Sequence, residues 1–210
     1  MTVATYQPGS GGIDTYVNVS TETGHGTEAT LSLNTNQRIL IKFDVSDISS
    51  TATCSSAVMS LYSYVTSAMT GDTWTAYPIL VANSAWDEAA TWNTRDGSNN
   101  WSGSAGCSTS GTDYNATAIG SCVMDETWLH ENQFSLTAAT VKTWFGGSNA
   151  NYGMVVRTSA ASDTGIVYSS DEATLTTNRP KLVVTYSLSG VTYRRTFSPI
   201  GTRAGSRQAT

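Results

Sequence analysis

Charge is scarce in this sequence. Asp, Glu, Lys and Arg together make up 13% of its 210 residues, and it has only two histidines and three cysteines. His25 and His130 stand in no recognisable metal spacing and beside no Cys or Ser motif, so no zinc site or nucleophilic triad is legible. The adjacent pairs Asp87–Glu88 and Asp171–Glu172 would point to opposite faces of a strand, and neither could flank one glycosidic bond. Gly24-His25-Gly26 lacks the strand-to-helix context of a nucleotide loop. These absences read as no catalysis. Long apolar runs are missing too, since none approaches the roughly 20 residues of a membrane helix. The start, MTVATYQPGSGG, has neither the basic n-region nor the apolar h-region of a signal peptide. The expectation is a signal already removed, or a protein that leaves its cell by another route.

What is there is aromatic and β-forming. Six Trp and ten Tyr supply ample surface to bury, which argues against disorder. The stretch Arg38–Val45 (RILIKFDV) puts Ile39, Ile41, Phe43 and Val45 on one side and Arg38, Leu40, Lys42 and Asp44 on the other, the period of a strand with one buried face. The pattern returns in AVMSLYSYV and in Thr73–Val81, and it extends to Ile13–Val19, Ala29–Leu33, Ser121–Met124, Gln133–Leu136, Tyr152–Arg157, Gly165–Tyr168 and Lys181–Tyr186. This predicts an antiparallel β protein behind a flexible N-terminal lead. Thr137 is placed to N-cap one short helix, TAATVKTWF, with Val141, Trp144 and Phe145 on one face and a stop at Gly146–Gly147. WDEAATWN, with Trp86 and Trp92 six residues apart, fits neither period and reads as a corner whose rings plug the end of the core. From Arg95 to Asp113 no regular pattern holds, and irregular loops of that length are functional or specially braced.

Charge divides along the chain. From Arg194 onward there are four arginines (Arg194, Arg195, Arg203 and Arg207) and no acid, so that segment carries +4 while residues 1–193 carry 7 − 16 = −9. The expected organisation is one domain, 1–190, followed by a basic extension, 191–210. An acidic body excludes nucleic acid as a surface partner. The basic segment fits an arm that grips a partner, the alternative being a frayed terminus. Cys107 and Cys122 bracket a Gly/Ser/Thr-rich loop and are either bridged, worth about 3 kcal/mol for such a loop, or two reduced thiols; Cys54 is left as a small buried thiol.

Several ordered motifs carry a resemblance: RILIKFDVSDI, a strand ending in SLYSY, WDEAATWN, FSLTAATVKTWFGGSNANYGMVVRT, VYSSDEA and NRPKLVVTY. From about Asp14 to Tyr186 the chain resembles the DNRLRE or disaggregatase-related family, close to the family 96 carbohydrate-binding modules. The resemblance implies a jelly-roll β-sandwich of two antiparallel sheets, eight or more strands in all, with no catalytic centre. The chain departs from the family pattern at Gly24-His25-Gly26, where an Asn-Tyr-Gly turn is usual, and keeps it at Asn151-Tyr152-Gly153. Its body cations, Arg38, Lys42, Arg95, Lys142, Arg157, Arg179 and Lys181, are spread along the sequence, which argues against an anionic glycan.

Two binding roles follow. One is a virion structural protein, such as a capsid decoration or surface component of a phage, attached to other virion subunits through the arm and plausibly homo-oligomeric. The other is a secreted or cell-surface module that binds polysaccharide through Trp101 and Tyr114, the first candidates for sugar stacking; the alternative for each is to pack over the core as a lid, which is the commoner place for a Trp. No cofactor is expected beyond a candidate structural calcium on Asp14, Glu22, Asp163, Asp171 and Glu172, carboxylates near strand ends that otherwise cap turns.

Overall fold

The computed structural model describes residues 1–8, 13–64, 71–125, 127–147, 150–159, 165–168 and 174–188. Eleven strands occur in them: β1 (Thr2–Tyr6), β2 (Ile13–Asn18), β3 (Thr30–Leu33), β4 (Gln37–Lys42), β5 (Thr53–Tyr62), β6 (Thr73–Pro78), β7 (Gly120–Val123), β8 (Glu131–Leu136), β9 (Met154–Thr158), β10 (Gly165–Tyr168) and β11 (Lys181–Ser187), with one short helix, α1 (Ala138–Lys142). They pair antiparallel into a four-stranded sheet, β1-β11-β5-β8, a five-stranded sheet, β2-β4-β9-β6-β7, and the small pair β10-β3. The result is the expected all-β sandwich. No helix among the described residues is long and apolar enough to cross a membrane.

Alternation builds the core between the sheets. Ala57, Met59 and Leu61 of β5, Phe134 and Leu136 of β8, and Leu182 and Val184 of β11 meet Ile39 and Ile41 of β4, Trp74 and Ala76 of β6, and Met154 and Val156 of β9. Phe43 and Val45 continue the buried side beyond the end of β4, and Val141, Trp144 and Phe145 close one end, as the spacing around α1 predicts. Thr137 does stand at the N-cap of α1, but its side chain caps nothing. Its hydroxyl instead donates to the Ile119 carbonyl at 3.0 Å, tying the helix start to the entry of β7.

Three expectations are corrected. The N-terminal lead contains β1, an edge strand paired along its length with β11. Strand β4 is buried on both faces, because Arg38 and Leu40, assigned to the solvent side, are buried like Ile39 and Ile41, Leu40 completely and Arg38 nearly so. The cover is the excursion 79–119 between β6 and β7. It lays Ile79, Trp86, Ala90, Trp101, Cys107 and Tyr114 over Val17, Leu40 and Val155 and forms a second apolar cluster outside the five-stranded sheet. The corner Trp86–Asn93 therefore caps a sheet face and does not plug the end of the main core.

Candidate functional site

The cover has no strand ladder of its own, so its backbone groups need other partners. One buried carboxylate supplies many of them. Asp113 is fully buried and accepts from the backbone N–H of Gly103 (2.7 Å), Ser104 (3.1 Å) and Thr109 (2.8 Å) and from the side-chain amide of Asn83 (2.9 Å). The Asn83 carbonyl in turn accepts from Ser102 N–H at 3.0 Å. Burial alone would raise the Asp113 pKa, but these donors outweigh it and hold the carboxyl below its ordinary value. Indole N–H groups pin the remainder: Trp86 donates to the Tyr152 carbonyl at 2.6 Å and Trp101 to the Thr91 carbonyl at 3.1 Å.

Trp101 and Tyr114 are thus not the exposed platforms a sugar needs. They are 5% and 7% exposed and belong to the cluster under the cover. The Cys107–Cys122 bridge is also absent. Both thiols are free, Cys107 lying in the cover cluster and Cys122 packing against the main core, with the five-stranded sheet between them. Burial pushes both thiols above their ordinary pKa, as it does the free Cys54. Of the candidate calcium ligands, Asp14 is buried in β2 and the Glu22 carboxylate accepts from the Asn93 amide. Among the described residues no three His, Cys, Asp or Glu side chains gather as a metal requires. Asp163, Asp171, Glu172 and the arm arginines Arg194, Arg195, Arg203 and Arg207 lie outside the described residues.

Three surfaces remain. The outer face of the four-stranded sheet carries no cover. Ser56, Val58 and Ser60 of β5, Lys181, Val183 and Thr185 of β11, and Glu131 and Gln133 of β8 line a shallow groove of about 350 Å³ there. It holds the ion pair Lys181–Glu131 at 2.9 Å; the Ser60 hydroxyl also donates to Glu131 and the Lys181 ammonium to the Tyr62 hydroxyl. Burial would raise the Glu131 pKa, but Lys181 and Ser60 bring it down to about 2.

The second surface is aromatic and was not singled out in the sequence. Trp128 is 60% exposed on a turn held by Leu129 N–H to the Ser63 carbonyl and His130 N–H to the Thr127 carbonyl, with Tyr64 also exposed. The motif DETWLH offered a signal, since its Trp sits in a short polar turn between strands.

The third is a hydroxyl–imidazole–carboxylate series in the loop after β2. Thr21 Oγ1 lies 2.8 Å from His25 Nε2, and His25 Nδ1 lies 2.6 Å from Glu28 Oε1. Tyr16 stacks on the imidazole with centroids 4.1 Å apart and donates to Glu28 Oε2 at 2.8 Å. This closes the loop onto β2. Burial and the Glu28 carboxylate push the Tyr16 phenol up to about 12.

The frame is a lidded antiparallel sandwich in which Asp113, Glu28 and His25 are engaged in bracing, with open polar and aromatic patches on its surface, and it suits a repeat or binding-type domain. Residues 20–184 match the model of the disaggregatase related repeat domain, and the chain belongs to that family. No curated protein matches it.

Proposed function

We propose that this chain is a non-enzymatic attachment domain, a decoration or surface component of a virus particle that binds its neighbours partly through the basic segment 191–210. The observation that carries this reading is the division of charge. The body holds −9 and the short segment +4, so a segment from one copy is attracted to an acidic surface on a neighbour, while the acidic body disfavours nucleic acid. Repeated weak contacts of this kind sum through effective concentration when many copies share one surface. The open outer face of the four-stranded sheet supports the same role, because Ser, Thr and Val side chains on a flat sheet pack against a protein surface without a deep cleft. The test is deletion of Gly201–Thr210. Attachment to purified particles, read by mass spectrometry of sedimented material, should be lost while the melting temperature of the body stays within about 2 °C, as for removal of a surface segment. Retained stoichiometric attachment would refute the role of the arm.

A saccharide-binding role at a cell surface is the second reading, favoured by Trp128. A rigid turn presents this indole to solvent, and sugar rings stack on such faces. Trp128→Ala should leave stability unchanged and abolish retardation in polysaccharide-containing native gels. Unchanged retardation would remove Trp128 from consideration.

A further inference from the structure

The cations spread along the sequence do not all stay apart in the fold. Pairing of Ile39 with Val156 sets Arg38 and Arg157, one position further along each strand, side by side at the centre of the five-stranded sheet. Both point to the covered face, since Leu40 and Val155, two residues away, belong to the cover cluster. Each guanidinium is stacked on a ring: Arg38 on Trp92 at 4.4 Å, Arg157 on Tyr114 at 4.8 Å, and Arg157 also donates to the Tyr114 hydroxyl.

Among the described residues the pair has no counter-ion. Arg38 is 8% exposed, and its Nε and Nη1 are buried without an acceptor. Among the described residues neither arginine forms an ion pair. Burial first, and then the Arg157 charge, lower the Arg38 pKa to about 10; only the Cys107 thiol and the Tyr114 phenol oppose them, and no carboxylate does. A buried charge beside a like charge is costly unless an opposite one arrives. A groove opens at this edge of the cover. It holds about 280 Å³ and is lined by the half-buried Arg157 with Thr73, Thr75, Tyr77, Thr158 and Ser159, so that hydroxyls surround the guanidinium that reaches it.

We propose that Arg157, backed by Arg38, is the docking point for a carboxylate side chain of an acidic protein segment. A guanidinium fork matches a carboxylate bidentately, and the flanking hydroxyls can bond a peptide backbone. The volume takes one side chain and a short stretch of main chain. A sugar acid fits less well, because the nearby aromatic faces are taken: Trp92 by Arg38, Tyr114 by Arg157, and Tyr77 is tilted against Tyr114 at 5.1 Å. A long polyanion would also have to lie across a body of −9, which a single carboxylate avoids. This site goes beyond the attachment role proposed above and does not depend on the basic arm.

The test is an NMR titration of the intact chain with a hexapeptide Gly-Ser-Asp-Glu-Ser-Gly and its Asn/Gln counterpart, following the arginine Nε–H signals. The acidic peptide should shift the Arg157 signal and bind at least tenfold more tightly than the amide peptide. Arg157→Met should remove that difference, and Arg157→Lys should restore only part of it. Arg38→Met should weaken binding while leaving the melting temperature unchanged or higher, since it relieves a like-charge contact. Equal binding of the two peptides, or undiminished binding by Arg157→Met, would overturn the proposal. So would tighter binding of tetragalacturonate than of the acidic peptide, which would assign the pair to a sugar acid. A large loss of stability in Arg38→Met with binding intact would make the pair structural. Deleting Gly201–Thr210 should leave the titration unchanged, so failure of the arm and failure of this site are separable.

Discussion

Asp113→Asn tests whether one carboxylate organises the cover. In the folded protein Oδ2 accepts from Ser104 and Thr109 N–H, and Oδ1 from Gly103 N–H and the Asn83 amide. An asparagine keeps one oxygen. Wherever that oxygen goes, its NH2 faces two donors that now have no acceptor. Hydrogen bonds to a charged group contribute about 1.5–3 kcal/mol each, and partial relaxation of the loop recovers some of the two lost, so the expected cost is about 3 kcal/mol. For a domain of this size that corresponds to a fall of about 6–12 °C in melting temperature. The acid dependence supplies a second readout. The folded-state pKa of Asp113 lies below its unfolded value, so its stabilisation is complete above the ordinary carboxylate pKa and is lost as pH falls through the folded value. The gap between wild type and Asp113→Asn, measured by calorimetry, should therefore be full at pH 7 and narrow below about pH 4, the ordinary carboxylate range. A gap under about 2 °C at pH 7, or one that stays constant into acid, would refute the assignment, since a loss of 3 kcal/mol would exceed both.

Gly106→Ala should destabilise by about 2–4 kcal/mol in urea unfolding, the sum of a left-handed backbone penalty and overpacking. Gly106 sits at φ 73°, and a Cβ there would lie 2.6 Å from the Trp92 ring that stacks on Arg38; a change below about 0.5 kcal/mol would contradict that contact. Trp101→Ala should cost about 3–5 kcal/mol, as expected for a buried indole, and any loss of sugar retention should track unfolding and not binding. Glu131→Gln should cost about 1 kcal/mol at pH 7, since its ion pair with Lys181 is partly solvated. The Glu131 pKa is depressed to about 2, so this difference should persist down to the ordinary glutamate range and vanish as pH approaches 2.

The strands were legible wherever burial is one-sided, because alternation then separates core from surface, as in β8. Strand β4 shows where that reasoning fails. Ile39-Leu40-Ile41 is a continuous apolar run, the mark of two buried faces, but the polar neighbours Arg38 and Lys42 masked it. Strand β1 escaped notice for the opposite reason: as an edge strand with mostly exposed side chains it is fixed by main-chain pairing to β11, which leaves no hydrophobic period. The irregular stretch Arg95–Asp113 was marked as either functional or specially braced, and that Asp113 braces it depends on loop contacts without periodicity. The pairing of Arg38 with Arg157 follows from the neighbouring positions of β4 and β9, which are far apart in sequence, and no local pattern encodes it.

The cover also constrains where binding can occur. Antiparallel sheets commonly leave one face to water, and here the five-stranded sheet has been given a second apolar cluster instead. Its aromatic side chains face inward and are held by their own N–H groups, so the interior of the cover is a stability element with nothing to offer a ligand. A cover that ends partway across a sheet has a rim, and polar residues there are stripped of water without being fully enclosed. Arg157 stands half-buried on that rim with the buried Arg38 behind it, and among the described residues neither forms an ion pair, whereas Lys181 does. The open four-stranded face and the Trp128 turn are untouched by the cover. Substitutions at the rim, the bare sheet and the exposed ring therefore separate binding from folding in a way that substitutions of residues buried under the cover cannot.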